Sequence, residues 1–556
     1  MSARSRSWRE AGLPGAVLGL LLALELALFA LAPLTYPGFF QAHSGFLPAL
    51  NAANVESAPN WGSPGEGGRP VGGLQGEGRL PYLLVQPFLA LSSSGVTAIK
   101  WGYGLAFLLG AAGAYGWTRR RLGNRGAALA AVVYTYLPWH LSAVYARGAY
   151  AEAWLWALWP LLLWAIDAAG YSPQAGRGLV RTLGALALVV ALLAAAFWTQ
   201  PGLAALSLPL LILYALVVHL PRRPIVPLVG ILLLLLMVLA GTALASNGSA
   251  ATSARQFLYP YQLFVDGRGE GLSFQLGTVA VGLAVVAVAL GATRRGETAP
   301  LPPGLGRRLW FWTGTLLVVV ALTLPLSGLL WRVTGFDALV AQPWQALALA
   351  GLPLAFLAGA TVRLDRRLAT LPALAGLLAL VILASYPRLA PEFTQVDPGS
   401  EPVAAFDTGL GPDAAEPDAA GDTARVLLLD YQVQPPTEIT PTLTLTLTWQ
   451  AVAQPQQAVA LPGQAAAPVE ADYTVFVHLL AGEEKVAQRD SQPCDGECPT
   501  STWQPGRIVV DRHTISLPPE APAGPYRLAV GLYLLETGDR AAVLGRDDRT
   551  VYLDVR

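Results

Sequence analysis

Lysine is almost missing from these 556 residues, with only Lys100 and Lys485 set against abundant arginine. We read that bias as genomic composition, not chemistry. Charge of either sign is also scarce, at 13% of the chain, against roughly 25% in soluble globular domains. That shortfall excludes an ordinary soluble protein of this length. Acidic and basic residues balance at 36 each, so no basic excess points to a nucleic-acid partner. No P-loop, GxSxG, HExxH or dinucleotide fingerprint occurs, which removes the common soluble-enzyme chemistries. The five histidines are scattered along the chain, so no metal-binding cluster can be read from them, and the sequence identifies no cofactor either way.

Apolar residues fill the gap, at 54% of the sequence. They gather in repeated stretches of near 20 residues with few charges, long enough to cross a bilayer core. Expected spans are 13–33, 98–117, 126–145, 150–168, 181–198, 202–219, 225–246, 274–293, 309–331, 342–361 and 369–386. The opening MSARSRSWRE and its apolar run lack a small-x-small cleavage site, so they read as an uncleaved first span and not as a signal peptide. With the N-terminus in the cytoplasm, the basic clusters at Arg4/Arg6/Arg9, Arg119–Arg121 with Arg125, Arg177/Arg181, Arg222/Arg223, Arg294/Arg295 with Arg307/Arg308, and Arg363/Arg366/Arg367 all fall inside. This is the positive-inside bias. Acids inside spans are few. Glu25 and Asp167 are exceptions, which argues against an ion-coupled pump. The expected class is therefore a polytopic α-helical membrane protein of about eleven spans, with membrane lipids as constant partners. A short apolar segment, 80–91, reads as a re-entrant or interfacial helix.

The membrane domain is expected over 1–390, with long outside loops at 34–97 and 247–273, and a disordered acidic Pro/Ala/Gly linker over 391–424. From Arg425 the pattern changes. Runs such as TLTLTLTW alternate apolar and polar residues, as half-buried strands must. About seven such runs over 425–556 fit an extracytoplasmic β-sandwich of immunoglobulin-like type. Cys494 and Cys498 lie in its SQPCDGECPT loop. Half a zinc site is one reading of C-x3-C, but no second pair completes it, and a disulfide outside the cell is the better one. His478 and His513 read as structural strand residues.

Polar groups that could carry chemistry sit at the outer ends of spans. His43, Ser44 and Asn51 follow span one in PGFFQAHSGFLPALN. The turn PWHLSAVYARGAYAEAW carries His140, Arg147 and Glu152; FWTQPGL carries Gln200; the second outer loop carries Arg255 and Gln275; and AQPWQAL carries Gln342 and Trp344. Arg147 and Glu152 are close enough in sequence to form an ion pair tying two helices. Arginine is equally suited to clamp a phosphate, through its forked donors.

Taken in order, HSGFLPALN, YLPWHLSAVYARGAYAEAWLWALWPLLLW, WTQPGLAAL, LSFQLG and QPWQALAL resemble a bacterial multi-pass membrane family labelled 6-pyruvoyl-tetrahydropterin synthase-related, itself similar to GT-C-type glycosyltransferases. The resemblance covers roughly residues 10–390. Pterin chemistry would need a zinc-binding histidine cluster, which this chain lacks. By resemblance, a sugar is taken from a polyprenyl-phosphate carrier at the outer face and passed to a glycan acceptor. An acid in the first outer loop then serves as base or metal ligand; a base is useful because a hydroxyl is a poor nucleophile until its proton is accepted. Relatives often read His-Asp-Gly where this chain has His43-Ser44-Gly45, and carry an arginine where it has Gln345. Glu56 or Glu152 then stands as the acid/base candidate. Arg147 and Arg255 are candidate phosphate contacts. His43, Ser44, His140, Gln200, Gln275, Gln342 and Trp344 are candidate substrate contacts. The alternatives are a non-catalytic, membrane-anchored glycan-binding or envelope-assembly protein, and a lipid or polysaccharide transporter. The expected location is the bacterial plasma membrane, with the C-terminal domain outside.

Overall fold

The computed structural model describes residues 13–40, 42–55, 78–92, 94–169, 178–219, 257–265, 273–293, 304–334, 340, 342–394, 402–408, 425–435, 442–452, 469, 471–503, 506–522, 525–543 and 548–555. Glu56, Arg255, the expected span 225–246 and most of the acidic linker lie outside them. The chain divides into two compact units. One takes in Met1–Tyr36, Gly76–Pro81 and Lys100–Pro391; the other takes in Pro37–Gln75, Tyr82–Ile99 and Glu392–Arg556. Pro37–Gln75, part of the expected loop 34–97, is thus grouped with the C-terminal strands.

The first unit is helical. Among the described residues, five helices are long and apolar enough to cross a membrane: Gly95–Thr135, Val180–Thr199, Leu305–Thr323, Pro343–Leu364 and Leu371–Leu389. Shorter apolar helices cover Gly15–Phe29, Pro201–Val217 and Thr278–Thr293. The expected spans 98–117 and 126–145 meet in one long element that kinks at Gly123, whose φ of 75° no regular helix contains. The second of them stops at Thr135, short of the expected end. Pro138 cannot donate a helical hydrogen bond, and it starts a separate helix, Pro138–Tyr145. The expected span 342–361 begins as a 3₁₀ segment, Pro343–Ala350, before continuing as the α-helix Gly351–Leu364. Segment 80–91 forms two short helices, Leu80–Leu84 and Gln86–Ser92.

Burial sorts these helices by role. Nearly all of Pro343–Leu364 is enclosed, whereas only about a fifth of Val180–Thr199 and of Leu371–Leu389 is. The latter two present Val180, Leu183, Trp198, Leu371, Leu380 and Leu383 outward. Such apolar surface is costly in water but matches hydrocarbon. The central helix crosses Gly95–Thr135 at a glycine pair. A Cβ on Gly126 would stand 2.7 Å from the Gly359 carbonyl oxygen, and a Cβ on Gly359 would collide with Gly126 in turn. Small residues at crossings let backbones approach closely where lipid offers no hydrophobic drive. Asp167, near the C-terminal end of the Tyr150–Ala169 helix, accepts from the Arg308 Nη2 at 2.7 Å, with both side chains buried. Arg308, counted among the cytoplasmic basic residues from sequence, is thus a buried partner.

The second unit holds the strands. A small antiparallel pair joins β1 (Phe39–Phe40) to β2 (Phe393–Thr394). The remaining strands are β3 (Ala404–Asp407), β4 (Arg425–Gln434), β5 (Thr442–Val452), β6 (Tyr473–Ala481), β7 (Glu484–Ser491), β8 (Ile508–Ser516), β9 (Tyr526–Leu534), β10 (Ala542–Val543) and β11 (Val551–Asp554). They form two antiparallel sheets, β10-β3-β4-β5-β8 and β11-β9-β6-β7, whose inner faces share one apolar core. In β5 the Thr/Leu alternation becomes the burial pattern, with Leu443, Leu445, Leu447 and Trp449 inward. The acidic linker contributes β2 and β3, which its composition hides. Phe406 is a single large anchor among alanines, and it is buried edge-on to Trp449 with ring centroids 5.6 Å apart. Cys494 and Cys498 are joined in a disulfide.

Candidate functional site

The helical unit gathers its polar groups around one guanidinium. The Pro138–Tyr145 helix ends in a tight reversal. Ala146 and Arg147 N–H both donate to the Ser142 carbonyl at 2.9 and 3.0 Å, and Gly148 takes a φ of 72°. This reversal brings Arg147 back against Glu152 in the first turn of Tyr150–Ala169, with Nη2 to Oε2 at 2.5 Å. The guanidinium carbon lies 4.9 Å from the Trp139 ring centre and 5.0 Å from that of Trp344. Trp139 stacks on Phe274 at 5.5 Å and meets Trp344 edge-on at 5.6 Å. Two aromatic rings and one carboxylate therefore flank a single positive charge, and Phe274 backs both rings. Cation–π attraction is strongest in such desolvated settings, and the carboxylate supplies the charge balance that burial requires.

The wall is fixed by hydrogen bonds from the second outer loop. Ser273 N–H donates to the Ser142 hydroxyl at 2.7 Å, and Trp139 N–H donates to the Gln275 carbonyl at 3.2 Å. Gln275 is itself held, its Nε2 donating to the Phe264 carbonyl and its Oε1 accepting from Arg388 at 3.4 Å. The Gln342 N–H donates to the Gln345 Oε1 at 3.2 Å, fixing the start of the 3₁₀ turn that carries Trp344. Four of the expected site residues, Arg147, Glu152, Gln275 and Trp344, thus belong to one assembly. Trp139 and Phe274 complete it. Both lie in the quoted segments, but there they read as ordinary membrane-boundary aromatics.

Other expected contacts have structural surroundings. His140 is sandwiched by Phe107, at 5.3 Å and nearly parallel, and by Trp156 at 3.7 Å edge-on. Its Nδ1 lies 2.8 Å from the Tyr134 carbonyl, which can only accept, so the proton sits on Nδ1. Gln200 is buried at the junction of two helices, and its Oε1 has no hydrogen-bond partner among the described residues. Both Arg147 and Glu152 are about 1% exposed. A carboxylate so enclosed and paired cannot receive a proton from a substrate hydroxyl without the cover opening. Glu152 therefore fits the role of counter-ion better than that of base.

His43 and Ser44 belong to the other unit. Ser44 is fully buried there, while His43 keeps part of its surface. Nearby, Asn51 Nδ2 donates to the Tyr82 hydroxyl at 3.5 Å, and Gln86 Nε2 to the Ala52 carbonyl at 2.8 Å. In the strand domain, His513 Nε2 lies 2.7 Å from Asp511 Oδ2, both fully buried, and Asp511 Oδ1 accepts from Cys494 N–H at 2.9 Å. No group of three or more metal-ligating side chains occurs among the described residues.

No protein-family model and no curated protein matches this sequence. Among solved structures, the apo oligosaccharyltransferase of Archaeoglobus fulgidus is similar at 14% identity and a TM-score of 0.37, over 70% of this chain and 56% of that one. The same organism's oligosaccharyltransferase AglB, in complex with an inhibitory peptide and a dolichol-phosphate, is similar at 12% identity and a TM-score of 0.39, over 68% and 56%. ArnT from Cupriavidus metallidurans bound to undecaprenyl phosphate is similar at 16% identity and a TM-score of 0.30, over 68% of this chain and 90% of that one. The chain thus spans 56% of the length of the two archaeal structures.

Proposed function

We propose that this chain is a GT-C-like membrane glycosyltransferase that passes a sugar from a polyprenyl-phosphate carrier to an envelope acceptor at the outer face of a bacterial plasma membrane. The topology that goes with it has about eleven spans, a cytoplasmic N-terminus and an extracytoplasmic strand domain. The observation that carries the reading is the convergence on Arg147. Trp139, Glu152 and Trp344 meet around one guanidinium and Phe274 packs behind the two tryptophans, the four coming from three of the segments on which the family resemblance rests. Motifs so far apart in sequence gather in this way when they build a common site.

In this reading Arg147 takes the carrier phosphate as it leaves, and Glu152 holds the guanidinium in place until the aromatic cover opens. Glu56 supplies the base that accepts the acceptor hydroxyl's proton. The test is transfer of labelled sugar from a panel of polyprenyl-phosphate donors by purified protein. Arg147→Lys keeps the charge but loses the fork, so kcat/KM should fall by about ten-fold or more. Glu56→Gln should remove turnover. Turnover indifferent to both substitutions sinks these assignments.

A second reading, a non-catalytic glycan-binding or envelope-assembly protein, is favoured by Ser44. It stands where relatives carry an acid, and it is fully buried. Absence of turnover across the donor panel, with retained glycan binding, would support it.

A further inference from the structure

An amide side chain of the strand domain reaches the turn at residues 43–46. Gln450, near the C-terminal end of β5 and 1% exposed, uses both ends of its amide. Its Oε1 accepts from the Phe46 N–H at 3.1 Å, and its Nε2 donates to the Gly506 carbonyl at 3.0 Å. Gly506 N–H donates in turn to the Ala451 carbonyl at 2.7 Å. Both glycines of this arrangement are required by contact. Gly45 has a φ of 52°, and a Cβ there would run into the Gln450 amide; a Cβ on Gly506 would run into the Ala42 carbonyl. Phe46 stacks on Phe39 at 5.6 Å, and Phe39 belongs to β1, paired with β2. The segment His43-Ser44-Gly45-Phe46 is therefore pinned on both sides of its turn. In that pinned turn Ser44 points inward and His43 retains exposed surface.

We propose that Gln450 is a positioning residue whose task is to present His43. In this view His43, and not Ser44, is the group that the loop offers to a ligand, and the strand domain is the scaffold that sets where it stands. The proposal deepens the reading given under Proposed function and rests on it for the ligand class, a hydroxyl acceptor or carrier phosphate. The placement of His43 is independent of that reading.

The physical argument is one of satisfied polar groups. A buried amide oxygen and a buried N–H that face each other are expensive to separate. Removing the Gln450 side chain leaves the Phe46 N–H and the Gly506 carbonyl without partners, so the turn must loosen to find water. Gln450→Glu keeps the acceptor for Phe46 but replaces the donor to Gly506 with a carboxylate oxygen. Gly45→Ala breaks the same contact from the loop side.

The test uses the full-length protein in detergent, with two direct readouts. Hydrogen exchange of a peptide covering residues 42–54 reports the Phe46 amide. Acylation of His43 by diethyl pyrocarbonate, read by mass spectrometry, reports its presentation, and half-buried His478 in the same unit is the internal control. Gln450→Ala and Gly45→Ala should each speed exchange of the loop peptide and change the His43 acylation rate several-fold, while His478 reacts as in the wild type. Gln450→Glu should fall between the wild type and Gln450→Ala. Equal changes at His43 and His478 would mean general destabilisation, and unchanged exchange in both variants would mean no latch; either overturns the proposal. Sugar transfer separates the two claims. If the wild type turns over, the same variants and His43→Asn should lower kcat more than they raise KM, and turnover unaffected by a loosened loop overturns the positioning role. If the wild type turns over no donor, the glycosyltransferase reading fails, and the exchange and acylation results alone decide the latch.

Discussion

Arg147 and Glu152 lie 2.5 Å apart, essentially without solvent contact, beneath a lid made by Trp139 and Trp344. Because the pair is buried, its two members are not interchangeable with neutral groups one at a time. Removing one leaves the other as an uncompensated buried charge, which typically costs about 3–5 kcal/mol. Glu152→Ala and Arg147→Ala should therefore each lower the thermal unfolding temperature in detergent sharply. The double change Arg147→Met with Glu152→Leu should recover most of that loss, since no unpaired charge remains. Additive losses in the double variant would count against a coupled pair.

The glycine crossing between two of the apolar helices makes a second prediction. Gly359→Val places methyl groups where the Gly126 backbone and the Ala130 Cβ already stand. Overpacking of this kind costs about 1–3 kcal/mol where neighbours can yield, and here the obstacle is backbone. Folded protein recovered in detergent should drop relative to Gly376→Val, a helical glycine with nothing within 4 Å of its Cβ position. Equal yields for the two would show that the crossing does not limit stability.

These two cases indicate what a sequence can carry. Gross architecture was legible because it depends on local periodicity: apolar runs for helices, and strict alternation for β5, where Leu443, Leu445, Leu447 and Trp449 bury as written. Breaks were only partly legible. Pro138 marks its own helix start, but the left-handed Gly123 looks like any other glycine of the chain. Long-range partnership was not legible at all. Asp167 stood out as an acid inside a span, while its partner Arg308, 141 residues away, looked like one more cytoplasmic arginine. Gln450 sits at the end of an alternating strand, and nothing local announces that its amide reaches a loop 404 residues upstream. Arg147 and Glu152 were recognisable as a pair because five residues and one turn join them. Their aromatic lid, drawn from two distant segments, was not.

The pH dependence of the strand domain should carry a histidine signature. Burial of the His478 ring lowers its pKa, with Lys485 and Arg540 acting in the same direction and Asp490 opposing them. Asp490 lies 3.8 Å from Nε2 on the neighbouring strand, and Phe476 packs against the ring at 5.1 Å. With the folded pKa below the unfolded one, near 6.5, the unfolded chain binds the proton more readily. The stability contribution is complete above the unfolded value and is lost as pH falls from there through the lower folded one. Unfolding temperature should thus fall more between pH 7.5 and pH 5 in the wild type than in His478→Gln. Parallel curves for the two proteins would remove His478 as the source.

The last prediction concerns the disulfide loop, which Asp511 holds from beneath. One carboxylate oxygen accepts the Cys494 N–H at 2.9 Å, and the other meets His513 at 2.7 Å. The loop closed by Cys494–Cys498 is short, so a chain-entropy treatment assigns it only about 2 kcal/mol. Asp511 should matter more, because its loss strands a buried imidazole and a backbone donor together. Cys494→Ser with Cys498→Ser should lower the unfolding temperature modestly and leave exchange at 508–516 unchanged. Asp511→Ala should lower it further and speed exchange both in that strand and in residues 492–498. Asp511→Asn keeps an acceptor for one neighbour, and so belongs between them. If the cysteine pair costs more than Asp511→Ala, the carboxylate is an accessory to the disulfide, and the order of dependence proposed for this loop is reversed.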